Sequence, residues 1–328
     1  FLITFLILSD KYRAESPRLY VTLSQLFTSL TLTEEWCNML PRLTNIPQLS
    51  PLVSDYLDAL RLQHFEGDIA SSYADRLSLA TDNSVYQQLP QAILFPKNIA
   101  DVVRLTKLAQ QEKYLSLTFT PRGGGTGTNG QSINNNIIVD LSRHMTKILE
   151  LNVKERWVRV QAGVVKDQLN QFLKPHGLFF SPELSTSNRA TLGGMINTDA
   201  SGQGSLQYGK TSDHVLGLRA VLINGEILET SAVKSDDVFR YTEESSLSAN
   251  VKKIHQEIFQ RCKDNRSQIL NDLPQLNRFL TGYDLKNVFN DDLSEFNLTR
   301  ILTGSEGSLA FICEAKLNLL PIPQYRTL

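Results

Sequence analysis

Residues 122–131 read Arg122, Gly123, Gly124, Gly125, Thr126, Gly127, Thr128, Asn129, Gly130 and Gln131. Glycines without side chains admit positive φ and turn successive backbone N–H groups to one side, which builds a concave site for an anion. Arg122 adds a planar fork that matches two phosphate oxygens, and Thr126, Thr128 and Asn129 add hydroxyl and amide groups. The chemistry implied is a grip on the diphosphate of a nucleotide cofactor.

Two familiar nucleotide sites share part of this spelling. Gly125, Gly127 and Gly130 satisfy the letters G-x-G-x-x-G, but that fingerprint needs a helix opening at its last glycine. Here the chain runs through Asn134, Asn135 and Asn136 into the apolar run Ile137 to Leu141. A phosphate-binding ATPase loop needs a lysine and a hydroxyl after its last glycine, and Gly130 is followed by Gln131 and Ser132. A third possibility, a mobile surface loop, sits poorly between flanks that read as strands at 115–119 and 137–141.

A second polar, glycine-bearing stretch runs from Ser181 to Gly204 and includes Pro182, Thr186, Ser187, Thr191, Gly193, Gly194, Ala200, Ser201, Gly202 and Gly204. Its hydroxyls, amides and close-approach glycines suit a polar ligand bearing rings. A third short motif is Gly304-Ser305-Glu306-Gly307-Ser308-Leu309. His144, His176 and His214 share no metal-ligand spacing and read as structural or surface residues. Ser231 and Lys234 fit S-x-x-K without its partner motifs and read as part of an exposed polar loop. Glu183 and Asp199 are candidate proton-handling groups whose simpler role is capping backbone amides.

The elements around these motifs alternate in type. Ser50 and Pro51 are a cap and first-turn pair for a helix carrying Val53, Tyr56, Leu57 and Leu60 until Gly67 stops it. A strand is expected at 92–95, a helix from Ile99 to Lys113 capped by Asn98, and a strand at 157–162. Val165, Gln168, Leu169, Phe172 and Leu173 form one face of a helix closed by Pro175 and Gly177. A strand at 215–223 meets Asn224-Gly225, the favoured type I′ turn into a second strand. Residues 231–250 read as a loop, 251–273 as helix and 309–317 as strand.

The chain of 328 residues is 41% hydrophobic and 20% charged with a formal net charge of −1, which fits a globular protein of one or two domains. No basic run suggests nucleic acid or a polybasic membrane anchor. Cys37, Cys262 and Cys313 are isolated, so neither a disulfide framework nor an iron–sulfur spacing is present. Phe1 to Leu8 is apolar but too short to span a bilayer, and it lacks both a basic start and a small-residue cleavage site. Residues 1–38 therefore read as upstream translation or a truncated leader, with Met39 as the expected start.

Together the ordered motifs resemble the PCMH, or vanillyl-alcohol-oxidase, type of FAD-binding domain. Within it the chain is similar to the N-terminal part of large bacterial FAD-linked, iron–sulfur-containing D-2-hydroxyacid dehydrogenases of the D-2-hydroxyglutarate type. Arg122 to Gln131 matches the family's pyrophosphate loop, Thr191 to Gly194 with Ala200 to Gly202 its second FAD segment, and Gly304 to Leu309 its closing motif. Tyr73 to Arg76, Thr81 to Ser84 and Tyr86 match its lead-in.

The resemblance implies an α+β fold of two α/β subdomains with a short helical preface. The preface and lead-in would occupy 39–85 and the FAD-binding domain 86–322. It further implies that residues 186–204 line the ribityl chain and isoalloxazine edge, with Pro182 and Tyr208 beside them, and that Glu306, Gly307 and Ile312 flank the nucleotide half. Some relatives attach FAD through a histidine where this chain has Thr126, so FAD is expected to be noncovalent. The implied reaction is oxidation of a D-2-hydroxy acid, of the D-2-hydroxyglutarate or D-lactate type, by hydride transfer to flavin N5.

The cap that would supply the catalytic residues, and the iron–sulfur region, match no segment of the chain, so residues 1–328 alone are not expected to turn substrate over. Expected partners are the hydroxy acid and an electron acceptor, either a quinone or an electron-transfer protein, and the expected location is cytoplasmic or peripheral at the inner membrane. The alternatives are a noncatalytic nucleotide-binding module and an NADPH-dependent enolpyruvyl-sugar reductase of the same fold.

Overall fold

Ser50 Oγ accepts the Val53 amide at 3.2 Å, so helix α1 (Pro51–Leu62) begins where the Ser-Pro pair predicts. Such a cap stabilises a helix by about 1 kcal/mol. Val53, Tyr56, Leu57 and Leu60 are its buried face. The helix ends before Gly67 because His64 takes φ 58°, outside the helical region. The computed structural model describes residues 47–244, 246–274, 276 and 282–324. The chain divides into two units, and the second, Leu49–Leu328, holds every element described. The expected leader at 1–38 and the start at Met39 lie outside the described residues.

After α1 come β1 (Asp68–Ala70), α2 (Tyr73–Ser78), β2 (Ala92–Phe95), α3 (Ile99–Ala109), β3 (Phe119–Arg122) and β4 (Ile137–Asp140). The four strands form one sheet in the order β1-β2-β4-β3, with β2, β4 and β3 mutually parallel. Central β2 and β4 are buried at every position, as parallel strands covered on both faces must be. Asn98 Oδ1 accepts the Asp101 amide and caps α3, which stops at Ala109 rather than Lys113. The strand expected at 115–119 starts only at Phe119. A short 3₁₀ turn, Glu112–Tyr114, sends Tyr114 into the core, edge-on to Tyr56 at 5.1 Å, and leaves Leu115 63% exposed.

The second sheet is antiparallel, in the order β10-β9-β8-β11-β6-β5. Its elements in chain order are β5 (Ile148–Asn152), β6 (Trp157–Gln161), α4 (Lys166–Leu173), β7 (Leu178–Phe179), α5 (Leu192–Asn197), α6 (Ser205–Tyr208), β8 (Val215–Val221) and β9 (Ile227–Lys234). There follow α7 (Val238–Glu244), α8 (Ala249–Asp264), α9 (Arg266–Asp272), β10 (Glu295–Asn297), α10 (Thr299–Leu302), β11 (Phe311–Asn318) and β12 (Leu320–Pro321), of which β12 pairs β7 separately. A bulge between Ile312 and Glu314 lets Phe311 and Cys313 join the cluster under the first sheet while Ala315 and Leu317 join the second core. The fold is α+β, as expected.

Three local expectations change. The β8–β9 hairpin forms, but Gly225 takes φ 81° while Asn224 does not enter positive φ, and the Gly225 amide donates to Leu222 O. That is a type I turn closed by a left-handed glycine, a three-residue loop rather than a type I′ turn. Residues 231–250 are not one loop, since β9 runs to Lys234 and α7 follows, so Ser231 and Lys234 lie on a strand. On α4 the buried positions are Lys166, Leu169 and Leu173, and Phe172 stays 43% exposed.

His255 of α8 is buried and its Nε2 has no partner among the described residues. Burial pushes its pKa below the ordinary value, against an opposing backbone hydrogen bond near Glu229. Below about pH 6.5 the unfolded chain takes up a proton that the folded chain excludes, so stability is complete above that pH and falls as pH drops. The thermal midpoint is expected to decline between about pH 7 and 5.5, by at most about 1.4 kcal/mol of stability per pH unit, and His255→Leu to flatten that limb. Thermal melts across a pH series check both.

Candidate functional site

β3 ends at Arg122, opposite Asp140 of β4, and the chain then leaves the sheet. Among the described residues, the amides of residues 123–128 donate to no protein acceptor, whereas the Asn129 amide donates to Gln131 Oε1 at 3.0 Å. Such a row of unused amides at a cleft wall is a preformed anion cradle. Beneath it, Arg122 donates from Nη2 to Thr81 O at 2.7 Å and from Nη1 to Ser132 O at 3.2 Å and Leu79 O at 3.5 Å. The fork therefore ties the lead-in segment to both ends of the loop. Asn83 N donates to Gly125 O, and Ser132 Oγ donates to Asp82 Oδ2, completing the underside.

Burial lowers the Arg122 pKa, opposed by Asp140 and Asp82. Burial also raises Asp140 against the hydrogen bonds from Ser142 and the nearby Arg122 and Arg143 charges. In Asp82, burial is outweighed by the bonds from Ser84 and Ser132 and by Arg122, which hold its carboxyl below the usual range.

The second segment packs directly on this loop. A Cβ built on Gly124 would stand 2.2 Å from Arg189 O, and one on Gly123 2.1 Å from Thr191 Oγ1. Only glycine fits at that crossing. Thr191 Oγ1 accepts the Gly194 amide and caps α5, while the Leu192 and Gly193 amides donate to Val164 O and Ala162 O. The first amides of this helix are thus consumed by the scaffold, and the anion-binding capacity rests with the glycine loop.

The closing motif binds the end of α5. Gly304 N donates to Ile196 O and Glu306 N to Asn197 O, both at 2.8 Å, and Gly307 lies against Pro121 of β3. Asn197 Nδ2 donates to Gly193 O, while Asn197 Oδ1 and Ser201 Oγ are buried without a partner among the described residues. Two orphaned polar atoms beside a row of free amides fit a polar cofactor that would satisfy them. Asp199 accepts the Ser212 amide at 2.8 Å and pairs with Lys210 Nζ at 2.5 Å, so it is a structural carboxylate.

A cleft of about 350 Å³ joins the three motifs. Of the expected site residues, Arg122, Gly123, Gly124, Gly125, Thr126, Gly127, Thr128, Asn129, Gln131, Thr186, Thr191, Gly193, Gly194, Ala200, Ser201, Glu306, Gly307 and Ile312 line it. Gly130, Pro182, Ser187, Gly202, Gly204 and Tyr208 are not on its wall. Gly202 stands where a Cβ would meet Glu183 O at 2.1 Å, and Gly130 packs on the Tyr86 ring. Residues not anticipated include Pro121, Ser132, Leu141, Ala162, Leu184 and Ser185, whereas Asn197 and Thr198 fall within the expected span 186–204 without having been singled out. Asn197 and Thr198 sit inside the second segment, and their polarity on a buried helix was the available signal. His214 Nε2 lies 2.6 Å from Tyr208 O and 3.0 Å from Ser181 Oγ, and His144 Nε2 lies 2.7 Å from Asp68 Oδ2, so both are structural. Glu183 is exposed. No group of metal-ligating side chains occurs among the described residues.

A family model described as "FAD binding domain" matches residues 90–231. This part of the chain is a PCMH-type FAD-binding domain. The chain is 81% identical over 290 residues to a D-2-hydroxyglutarate dehydrogenase of Haemophilus influenzae, covering 88% of this chain and 28% of the relative. It is 59% identical over 290 residues to a D-2-hydroxyglutarate dehydrogenase of Escherichia coli, again over 88% of this chain and 28% of the relative. The chain thus spans a little over a quarter of the length of these relatives. Among solved structures, an alkyldihydroxyacetonephosphate synthase superposes with a TM-score of 0.57 at 20% identity, over 86% of this chain and 43% of that one, a likeness of fold. The FAD-binding domain expected from the motifs is borne out over residues 90–231. Among the described residues no helix is long and apolar enough to cross a membrane.

Proposed function

We propose that the FAD-binding domain grips the diphosphate of FAD with the amides of residues 123–128, and that it serves an oxidoreductase acting on a D-2-hydroxy acid such as D-2-hydroxyglutarate. The observation that carries the cofactor assignment is the row of acceptor-free amides clamped between Arg122 and the Arg189–Thr191 crossing. Thr126, Thr128 and Asn129 add polar contacts at the rim, and Thr186, Thr191, Gly194, Ala200 and Ser201 line the remainder of the cavity for the ribityl chain and ring. Asn197 Oδ1 and Ser201 Oγ would meet the ring's polar edge. When bound, FAD supplies a two-electron acceptor for the hydride on the hydroxyl-bearing carbon.

What the chain's own residues do is bind, orient and shield. The loop amides would hold the diphosphate's negative charge, and the carbonyls that hold Arg122 keep the loop in place. The substrate assignment is supported by the D-2-hydroxyglutarate dehydrogenase relatives. We place the proton acceptor, the substrate carboxylate clamp and any iron–sulfur relay in the part of those relatives' length that residues 1–328 do not span. The eventual electron acceptor would be a quinone or an electron-transfer protein. Anaerobic mixing of the full-length flavoprotein with D-2-hydroxyglutarate is expected to bleach the oxidised-flavin absorbance; persistent colour at saturating substrate would refute the reading.

FAD is held without a covalent bond. Thr126, at the loop position where some relatives carry the attaching histidine, offers no ring nitrogen to the flavin. Acid or guanidinium denaturation is therefore expected to release the yellow chromophore into the supernatant, and colour retained in the washed precipitate would contradict it.

A further inference from the structure

We infer that Asp199 is a positioning residue for the flavin half of the cofactor, holding Ser201 on the cleft wall so that its backbone N–H meets the ring. The inference rests on the FAD reading proposed above. Asp199 stands in the turn that ends α5, with φ 45°, a left-handed conformation that glycine ordinarily supplies at this place. The backbone bonds are those of such a turn: Asp199 N donates to Ile196 O at 3.2 Å and Ala200 N to Met195 O at 2.9 Å. An aspartate here carries a conformational cost that its side-chain bonds must offset.

The carboxylate is buried and holds three donors, all from residues 210–212. Oδ1 accepts the Ser212 amide at 2.8 Å, and Oδ2 accepts Ser212 Oγ at 3.1 Å and pairs with Lys210 Nζ. From the same stretch, Thr211 N and Oγ1 donate to Ala200 O at 3.1 and 2.6 Å. Ala200 is thus fixed through its N–H by α5 and through its carbonyl by the 210–212 turn. The next residue keeps its capacity unused: Ser201 lines the cleft, and its N donates to no acceptor among the described residues. Asp199 is not itself on the cleft wall, so its influence on the cofactor passes through Ala200 and Ser201. An N–H held in advance at the ring's polar edge bonds more strongly as the ring gains electron density, which favours the reduced flavin.

The test compares the full-length flavoprotein with Asp199→Gly and Asp199→Asn, each combined with Lys210→Met so that the ion pair is removed as a unit and no charge is stranded beside the ring. Glycine keeps the left-handed turn without the carboxylate, whereas asparagine tolerates the turn and keeps an oxygen for the Ser212 amide. In the glycine variant the affinities of the flavin-free protein for FAD and for riboflavin are each expected to fall about tenfold, their ratio unchanged because the diphosphate loop is untouched. The two-electron midpoint potential of the bound flavin should fall by about 30 mV, a tenfold loss of preference for the reduced ring, and the asparagine variant should recover most of both losses. Should the glycine variant fail to fold, Thr211→Val decides: it frees Ala200 O from a hydroxyl without altering charge, and it should shift affinity and potential in the same directions by a smaller factor. A potential equal to that of wild type overturns the assignment whatever the affinity does, because loosening alone empties the site without changing the flavin that stays. A loss confined to FAD, with riboflavin affinity kept, also overturns it. If wild type binds no flavin, the cofactor reading itself fails; if wild type binds it and the variants match wild type, only the role of Asp199 does.

Discussion

Gly124→Ala is expected to yield a folded protein that retains no FAD through gel filtration, with affinity lowered at least about a hundredfold, or roughly 3 kcal/mol. The added Cβ would sit 2.2 Å from Arg189 O, and that neighbour is backbone held by its own turn, with Arg189 N donating to Thr186 O. Relief therefore requires the pyrophosphate loop and the second segment to part by about 1 Å, since ordinary carbon–oxygen contact begins near 3.3 Å. Parting them opens the cradle while leaving both sheets and both cores untouched, so flavin binding suffers far more than folding. Gly177→Ala is the matched control. Gly177 has φ 68° with nothing within 4 Å of the added carbon, so that change should cost about 1 kcal/mol of stability and leave the flavin in place. The flavin-to-protein absorbance ratio and fluorescence titration of the flavin-free protein read both variants.

Arg122→Lys is expected to fail nearly as badly as Arg122→Met, each losing about 2–4 kcal/mol of stability together with most bound FAD. Had the arginine served chiefly as a charge for the diphosphate, lysine would substitute well, as it does in other phosphate loops. Instead its two terminal nitrogens tie Thr81 O, Ser132 O and Leu79 O, which one ammonium cannot reach together. The buried Asp140 and half-buried Asp82 beside it would also lose a fixed cation. Chemical denaturation of the three proteins, paired with flavin content, separates the two roles: retained FAD in Arg122→Lys would return the arginine to the phosphate.

How much of this was legible in the sequence depends on the kind of signal. Ser50 and Asn98 marked helix starts because a cap is a local bond between neighbours, and the motifs at 122–131, 191–202 and 304–309 announced a nucleotide because glycine density is itself the mechanism. The use of Arg122 was not legible, because its partners at Leu79, Thr81 and Ser132 are backbone carbonyls, which no residue letter reveals. The strand expected at 115–119 moved because Tyr114, not Leu115, found a ring partner in Tyr56, a contact between residues far apart in the chain. The hairpin at Asn224-Gly225 kept its place but changed its turn, since the glycine alone takes positive φ. Asn197 became conspicuous only once its buried oxygen was seen to lack a partner among the described residues.

The central claim is that backbone amides of residues 123–128 hold the cofactor's diphosphate. Amide-resolved nuclear magnetic resonance of the flavin-free protein, titrated with FAD and separately with riboflavin, tests it most directly. The account predicts that the amides of residues 123–128 move on adding FAD and stay in place with riboflavin, which has no phosphate. Loop amides unmoved by FAD, with the response confined to arginine side-chain N–H groups, would contradict it.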